Sequence, residues 1–74
     1  MANQEQLRTL KKEGVEVWNL WREDNPNVKI DLSGANLSGS NLSNACFIRA
    51  NLSGANLKGV GLVQADSRNA YLDS

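Results

Sequence analysis

From Ile30 to Ser74 the chain repeats a five-residue word without insertion. The blocks read IDLSG, ANLSG, SNLSN, ACFIR, ANLSG, ANLKG, VGLVQ, ADSRN and AYLDS, nine in all. A small residue opens most blocks, Asn or Asp follows, and Leu stands third. A period of five matches neither the 3.6 of a helix nor the 2 of a strand, so no ordinary amphipathic element accounts for it. Short repeats of fixed period point instead to a solenoid, in which each repeat buries its apolar residue only against its neighbours.

The segment before the repeats has a different period. Leu7, Leu10, Gly14, Val17, Trp18 and Trp21 fall at spacings of three and four over residues 4–22, which predicts one helix ending near Glu23 or Asp24, with these residues on a single face and Val15 and Leu20 off it. Asn3 stands where an N-cap belongs, and Gln6 three residues on completes the sequence of a capping box. Asn25-Pro26 supplies the stop, because proline disfavours helical geometry in the residue before it. Gly14 inside the helix costs about 1 kcal/mol relative to Ala. Two units follow: a capping helix and connector over 1–29 and a repeat body over 30–74.

The resemblance carried by these blocks is to the pentapeptide-repeat family, whose word is A-(D/N)-L-x-x. ANLSG at 35–39 and 50–54 and ANLKG at 55–59 are near-consensus copies, and VWNLWREDNPNVKIDLSGANL resembles the helical lead-in of many bacterial members. The resemblance implies an all-β solenoid: a right-handed quadrilateral β-helix with one block per side and four per coil, here about two coils, preceded by one capping α-helix. On that plan Leu32, Leu37, Leu42, Phe47, Leu52, Leu57, Leu62 and Leu72 form the axial core ladder. Ala35, Ala45, Ala50, Ala55, Ala65 and Ala70 fill the corners, with Ile30 and Val60 oversized there. Leu10, Val17, Trp18 and Trp21 form the N-terminal cap. Gly34, Gly39, Gly54 and Gly59 end their blocks where the chain turns.

Residues twenty apart stack on one side. Side four, blocks 45–49 and 65–69, departs furthest from the word, and its outward residues Ile48, Arg49 and Arg68 are the candidate interaction side.

Chemistry is scarce in this sequence. There is no histidine, and the lone Cys46 has neither a second cysteine nor a base to activate it. The glycines match no phosphate-cradling loop, and the serines are turn residues without a base. No catalytic, metal or cofactor site is expected, and the chain reads as a non-enzyme. Eight basic residues balance eight acidic ones, which argues against nucleic acid and anionic membranes as partners. The same balance and the short array argue against duplex mimicry of the kind some relatives direct at DNA gyrase. A single cysteine and the absence of an apolar leader suggest a cytoplasmic protein, and the family resemblance implies a bacterial one. What remains is a structural or protein-interaction module of unspecified role, or the capped leading end of a longer array. With the helix at one end only, self-association through the C-terminal end, tail to tail, is the expected oligomeric contact.

Overall fold

The computed structural model describes residues 2–71. Leu72 of the expected ladder lies outside the described residues.

The N-terminal segment is not one helix. Helix α1 spans Gln4–Arg8, a five-residue π-helical turn spans Thr9–Glu13, and helix α2 spans Val15–Asp24. The break is at Gly14, whose φ of 95° and ψ of 174° leave the helical region and need a residue without a Cβ. Its N–H donates to the carbonyl of Thr9, five residues back, at 3.2 Å. The widened turn resets the helical register. Leu10 and Trp18 are buried, and Leu7, Val15 and Trp21 pack half-buried against the core. Val17, expected in the cap, is instead 42% exposed, and Val15, expected off the face, takes the inward place. Asn25 ends α2, as its position before Pro26 requires.

The body winds back over itself every twenty residues. Parallel bridges join Asp31 to Asn51, Asn36 to Asn56, Asn41 to Gly61, Cys46 to Asp66 and Asn51 to Tyr71. Each bridge sits at the second position of its block. No extended strand forms among the described residues; pairing is confined to these single-residue bridges. The reason is local. The third-position carbonyl accepts the N–H three residues on, as in Ala35 to Leu32 at 3.1 Å and Ala50 to Phe47 at 3.0 Å, so the chain turns in every block. The fifth residue is left-handed in each block from 30 to 69. It is glycine at 34, 39, 54 and 59 (φ 70–73°), and Asn44, Arg49, Gln64 and Asn69 adopt φ of 58–69°. A left-handed third residue of a four-residue turn is what a type II turn requires.

The second position stabilises the same turn from its side chain. The Oδ1 atoms of Asp31, Asn36, Asn41, Asn51, Asn56 and Asp66 each accept the N–H two residues on, at 3.0–3.2 Å. This is an Asx turn, and it explains why the word calls for Asn or Asp there.

The core follows the third and first positions. Leu32, Leu37, Leu42, Phe47 and Leu52 are at most 4% exposed, with Ala35, Ala45 and Ala50 buried at the corners. Ile30 is also buried, because the helices and not another coil lie above it. Burial fades toward the C-terminal end. Leu57 is half-buried and Leu62 is 45% exposed, so Leu62 is not a core residue among the described ones. An apolar hollow of about 130 Å³ opens there between Leu57, Leu62, Ala65 and the underside of Phe47.

Candidate functional site

Two surfaces on the molecule have specific chemistry: the seam between the helices and the first coil, and the outward face of side four beside it.

The seam closes sides one and four of the edge most fully. Between the two coils, each side exchanges three backbone bonds: the third and fifth N–H groups donate downward and the second N–H donates upward, as in Leu32 to Asn51, Gly34 to Ser53 and Asn51 to Ile30 at 2.8–2.9 Å. The upper edge of the first coil therefore presents two carbonyls for each N–H. The helical segment meets it with side chains that imitate a coil. Gln6 donates from Nε2 to the carbonyl of Lys29 (2.9 Å) and accepts from the N–H of Asp31 at Oε1 (2.8 Å). Asn19 donates from Nδ2 to the carbonyl of Asn44 (2.9 Å) and accepts from the N–H of Cys46 at Oδ1 (2.8 Å). Both carboxamides span the same pair of groups, the second residue of a block and the residue two before it.

Further donors complete the seam. The backbone N–H of Asn3 reaches the carbonyl of Asp31 at 2.7 Å. Trp18 Nε1 donates to the carbonyl of Cys46 at 2.9 Å, Arg22 donates to Cys46 (3.2 Å) and Ile48 (2.7 Å), and Lys11 Nζ donates to Asn36 (3.1 Å). Trp18 also stacks obliquely on Trp21 and Phe47, with centroids 5.6 and 6.2 Å apart. No buried side-chain nitrogen or oxygen among the described residues lacks a partner. Sequence periodicity found Leu10 and Trp18. It missed Gln6, Asn19 and Arg22, whose partners lie more than twenty residues away and leave no periodic trace. The capping box is half made: Asn3 Oδ1 accepts the Gln6 N–H at 3.1 Å, while the Gln6 side chain turns to the coil.

The structure sorts the three side-four candidates into different situations. Arg68 is held by its own block, donating from Nη2 to Asp66 Oδ2 at 2.7 Å and from Nε to Oδ1 at 3.0 Å. That pairing, with the Arg68 N–H on the same carboxylate, holds Asp66 below the ordinary aspartate range. Arg49 and Ile48 are neighbours at the end of the first coil. Arg49 is exposed on a left-handed residue, and its guanidinium makes no hydrogen bond among the described residues. Ile48 is half-buried, and its carbonyl is taken by Arg22. Beside them runs a groove of about 580 Å³, lined by Pro26, Val28 and Lys29 of the connector and by Ile48 and Arg49 of side four. Cys46 is a half-buried free thiol whose backbone is fully engaged by the helices. Among the described residues no three His, Cys, Asp or Glu side chains could hold a metal ion, and no helix is long and apolar enough to cross a membrane.

A family model for pentapeptide repeats matches residues 28–54 and 50–74, with eight copies of the repeat. The chain belongs to the pentapeptide-repeat family. Proteins of this family are generally non-catalytic structural or interaction modules, and the pentapeptide word here is spent on turns, corners and ladder bonds. No curated protein and no solved structure matches the chain.

Proposed function

We propose that this pentapeptide-repeat chain is a helix-capped, right-handed quadrilateral β-helix acting in the cytoplasm as a non-catalytic protein-interaction module, with the groove-side half of side four as its contact face. The observation that carries this reading is the pairing of Ile48 and Arg49 beside the connector groove. An apolar side chain and an exposed, unengaged guanidinium stand together there, the combination that interface hot spots favour. On sides one and two the Oδ1 atoms of Asp31, Asn36, Asn51 and Asn56 are already used in Asx turns. Arg68 is the weaker contributor, since it would have to leave Asp66 to bind. Family membership and bridges spaced twenty residues apart support the right-handed, four-sided form. The lone free cysteine suits a reducing compartment.

The test is capture from extracts of the native host by the tagged chain. The double substitution Ile48→Ser with Arg49→Ala should weaken retention of a specific partner at least about tenfold, or 1.4 kcal/mol. Ser38→Ala, on the exposed surface of side two, should not. Equal retention by all three would remove side four as the contact face.

A second reading has its own support. The half-covered Leu57 and the exposed Leu62 suit a body on which further coils are laid, with the helices as the N-terminal cap of a longer array. Reading the gene beyond codon 74 separates the two.

A further inference from the structure

The block 45–49 breaks the repeat word at its second position, and a backbone donor is left over. In the other blocks from 30 to 59, and again in 65–69, the Oδ1 of an Asn or Asp accepts the N–H two residues on. Cys46 stands in that place here and offers no such oxygen, and the Ile48 N–H has no acceptor among the described residues. Val63, two after Gly61, shares the lack, but its block carries no cation.

Around Ile48 the lack is reversed, with cations that have no carboxylate. Ile48 and Arg49 stand in the walls of two hollows at once: the connector groove of about 580 Å³ and a second of about 390 Å³ that also takes in Cys46. Arg22 and Pro26 line both, so the hollows join around this corner, and Lys29 lines the first. Arg22, Lys29 and Arg49 have no carboxylate partner among the described residues, where the one ion pair is that of Arg68 with Asp66. Arg22 is engaged by carbonyls, which leave its charge unbalanced. Against these three cations stand Glu23 and Asp31, and Asp31 Oδ1 already accepts both the N–H and the hydroxyl of Ser33. In a chain of zero net charge this is a local positive surplus, walled by the apolar side chains of Pro26, Val28 and Ile48.

We propose that this corner binds an extended acidic segment of a partner protein, with one Asp or Glu carboxylate taking the place of the missing Asx oxygen on the Ile48 N–H and pairing with Arg49. An apolar residue beside that carboxylate lies along Pro26 and Val28. The inference rests on the reading of side four as the contact face and names what that face takes. A carboxylate serves both parts of the site: one oxygen accepts from the amide and the other from the guanidinium, in charge-assisted bonds roughly twice as strong as neutral ones. The Cys46 thiol is a weak acceptor and does not compete for the amide. A nucleic acid suits the site less, since a neutral chain offers no extended field to a strand of phosphates and the walls are apolar.

The experiment screens the intact chain against an array of hexapeptides, each with one fixed residue among mixed ones. The best binder is then followed by fluorescence anisotropy and by amide spectra of the isotope-labelled chain. Bound peptides carry Asp or Glu next to an apolar residue, and replacing that acid by its amide weakens binding at least about tenfold. The Ile48 amide shifts most on titration. Arg49→Asn, which suits the left-handed backbone as Asn44 and Asn69 do, weakens binding to a similar degree. Cys46→Asn supplies the Asx oxygen from within the chain and does the same, whereas Cys46→Ala stays within about twofold of wild type. Cys46→Asn is also more stable to urea than Cys46→Ala, so its loss of binding is not a loss of fold. A Cys46→Asn chain that binds like wild type, or that is the less stable of the two, would overturn the proposal. So would an array without acidic preference, or a labelled thymidine oligonucleotide that binds through Arg49 more tightly than any peptide. The failures separate. Capture from extracts that needs Ile48 and Arg49 while no acidic peptide binds sinks this inference alone, and capture indifferent to both residues sinks the reading of side four and this inference with it.

Discussion

Asn19 Oδ1 accepts the backbone N–H of Cys46 at 2.8 Å, the place that a carbonyl of the preceding coil occupies one turn later, where Asp66 donates to Ala45 at 3.0 Å. A side chain on α2 thus stands in for a missing coil, and Gln6 does the same for Asp31. Asn19→Ala leaves a part-buried N–H and the Asn44 carbonyl without their partners and should destabilise the chain by about 1–3 kcal/mol. Asn19→Asp keeps the acceptor and loses the donor, and should fall between the two. Urea titration of the three proteins checks the order.

Trp18 is the anchor of the cap, fully buried over Phe47 and bonded to Cys46. Trp18→Ala should cost about 3–5 kcal/mol, enough to unfold much of so small a domain. Val17→Ala, one residue earlier on an exposed face, should stay within about 0.5 kcal/mol. Comparable losses in the two variants would mean that α2 sits in a different rotation.

The repeat word was legible because its demands are local and recur: a small corner, an Asx turn, an axial Leu and a left-handed fifth residue. The buried tryptophan was legible from helical spacing. The break at Gly14 was not, since a helix tolerates one glycine at a cost of about 1 kcal/mol and only tertiary contact decides whether it bends. The swap of Val17 for Val15 followed from that break. Gln6, Asn19 and Arg22 were hidden for a different reason. Polar residues on a helix read as solvent-facing unless the distant carbonyls that they serve are known. On side four, sequence offered Arg68 as an outward residue, where the Asx turn brings it into an ion pair with Asp66, two residues before it.

The ladder should weaken toward its open end. Leu52→Ala, at a position only 4% exposed, should cost about 2–5 kcal/mol. Leu62→Ala should cost less than about 1 kcal/mol, because its side chain is already 45% exposed. Thermal unfolding of both variants beside wild type measures the gradient.

The fifth position is governed by backbone angle more than by space. A Cβ on Gly54 would meet nothing closer than the Gly34 nitrogen at 3.9 Å, yet φ there is 71°. Gly54→Ala should therefore cost about 1–2 kcal/mol through strain alone. Gln64→Gly relieves the same strain at φ 59° and should raise the midpoint of urea unfolding by a small amount, offset in part by added freedom of the unfolded chain.

Asp31 and Asp66 both sit below the ordinary aspartate value of 3.8, the first through the Ser33 hydroxyl and N–H and the second through Arg68. A lowered folded value means that the carboxylate form is favoured by folding. Their contribution is complete above the unfolded value and is lost as pH falls from about 4 through the folded values. Asp66→Asn retains the Asx acceptor for the Arg68 N–H and loses the ion pair, so its melting temperature should match wild type more closely at pH 3 than at pH 7.

The central claim is that the helices close sides one and four of the N-terminal edge as a coil would, and amide hydrogen exchange under native conditions reads it most directly. The N–H groups of Asp31 and Cys46, which end on Gln6 and Asn19, should exchange as slowly as the inter-coil amides of Asn51, Asn56 and Asp66. The N–H of Asn41, at the same block position and the same edge, has no such partner among the described residues and should exchange fast. Loss of protection at Cys46 alone should follow Asn19→Ala. If Asp31 and Cys46 exchange as quickly as Asn41 in the wild-type chain, the helices do not complete the ladder and the account of the cap is wrong.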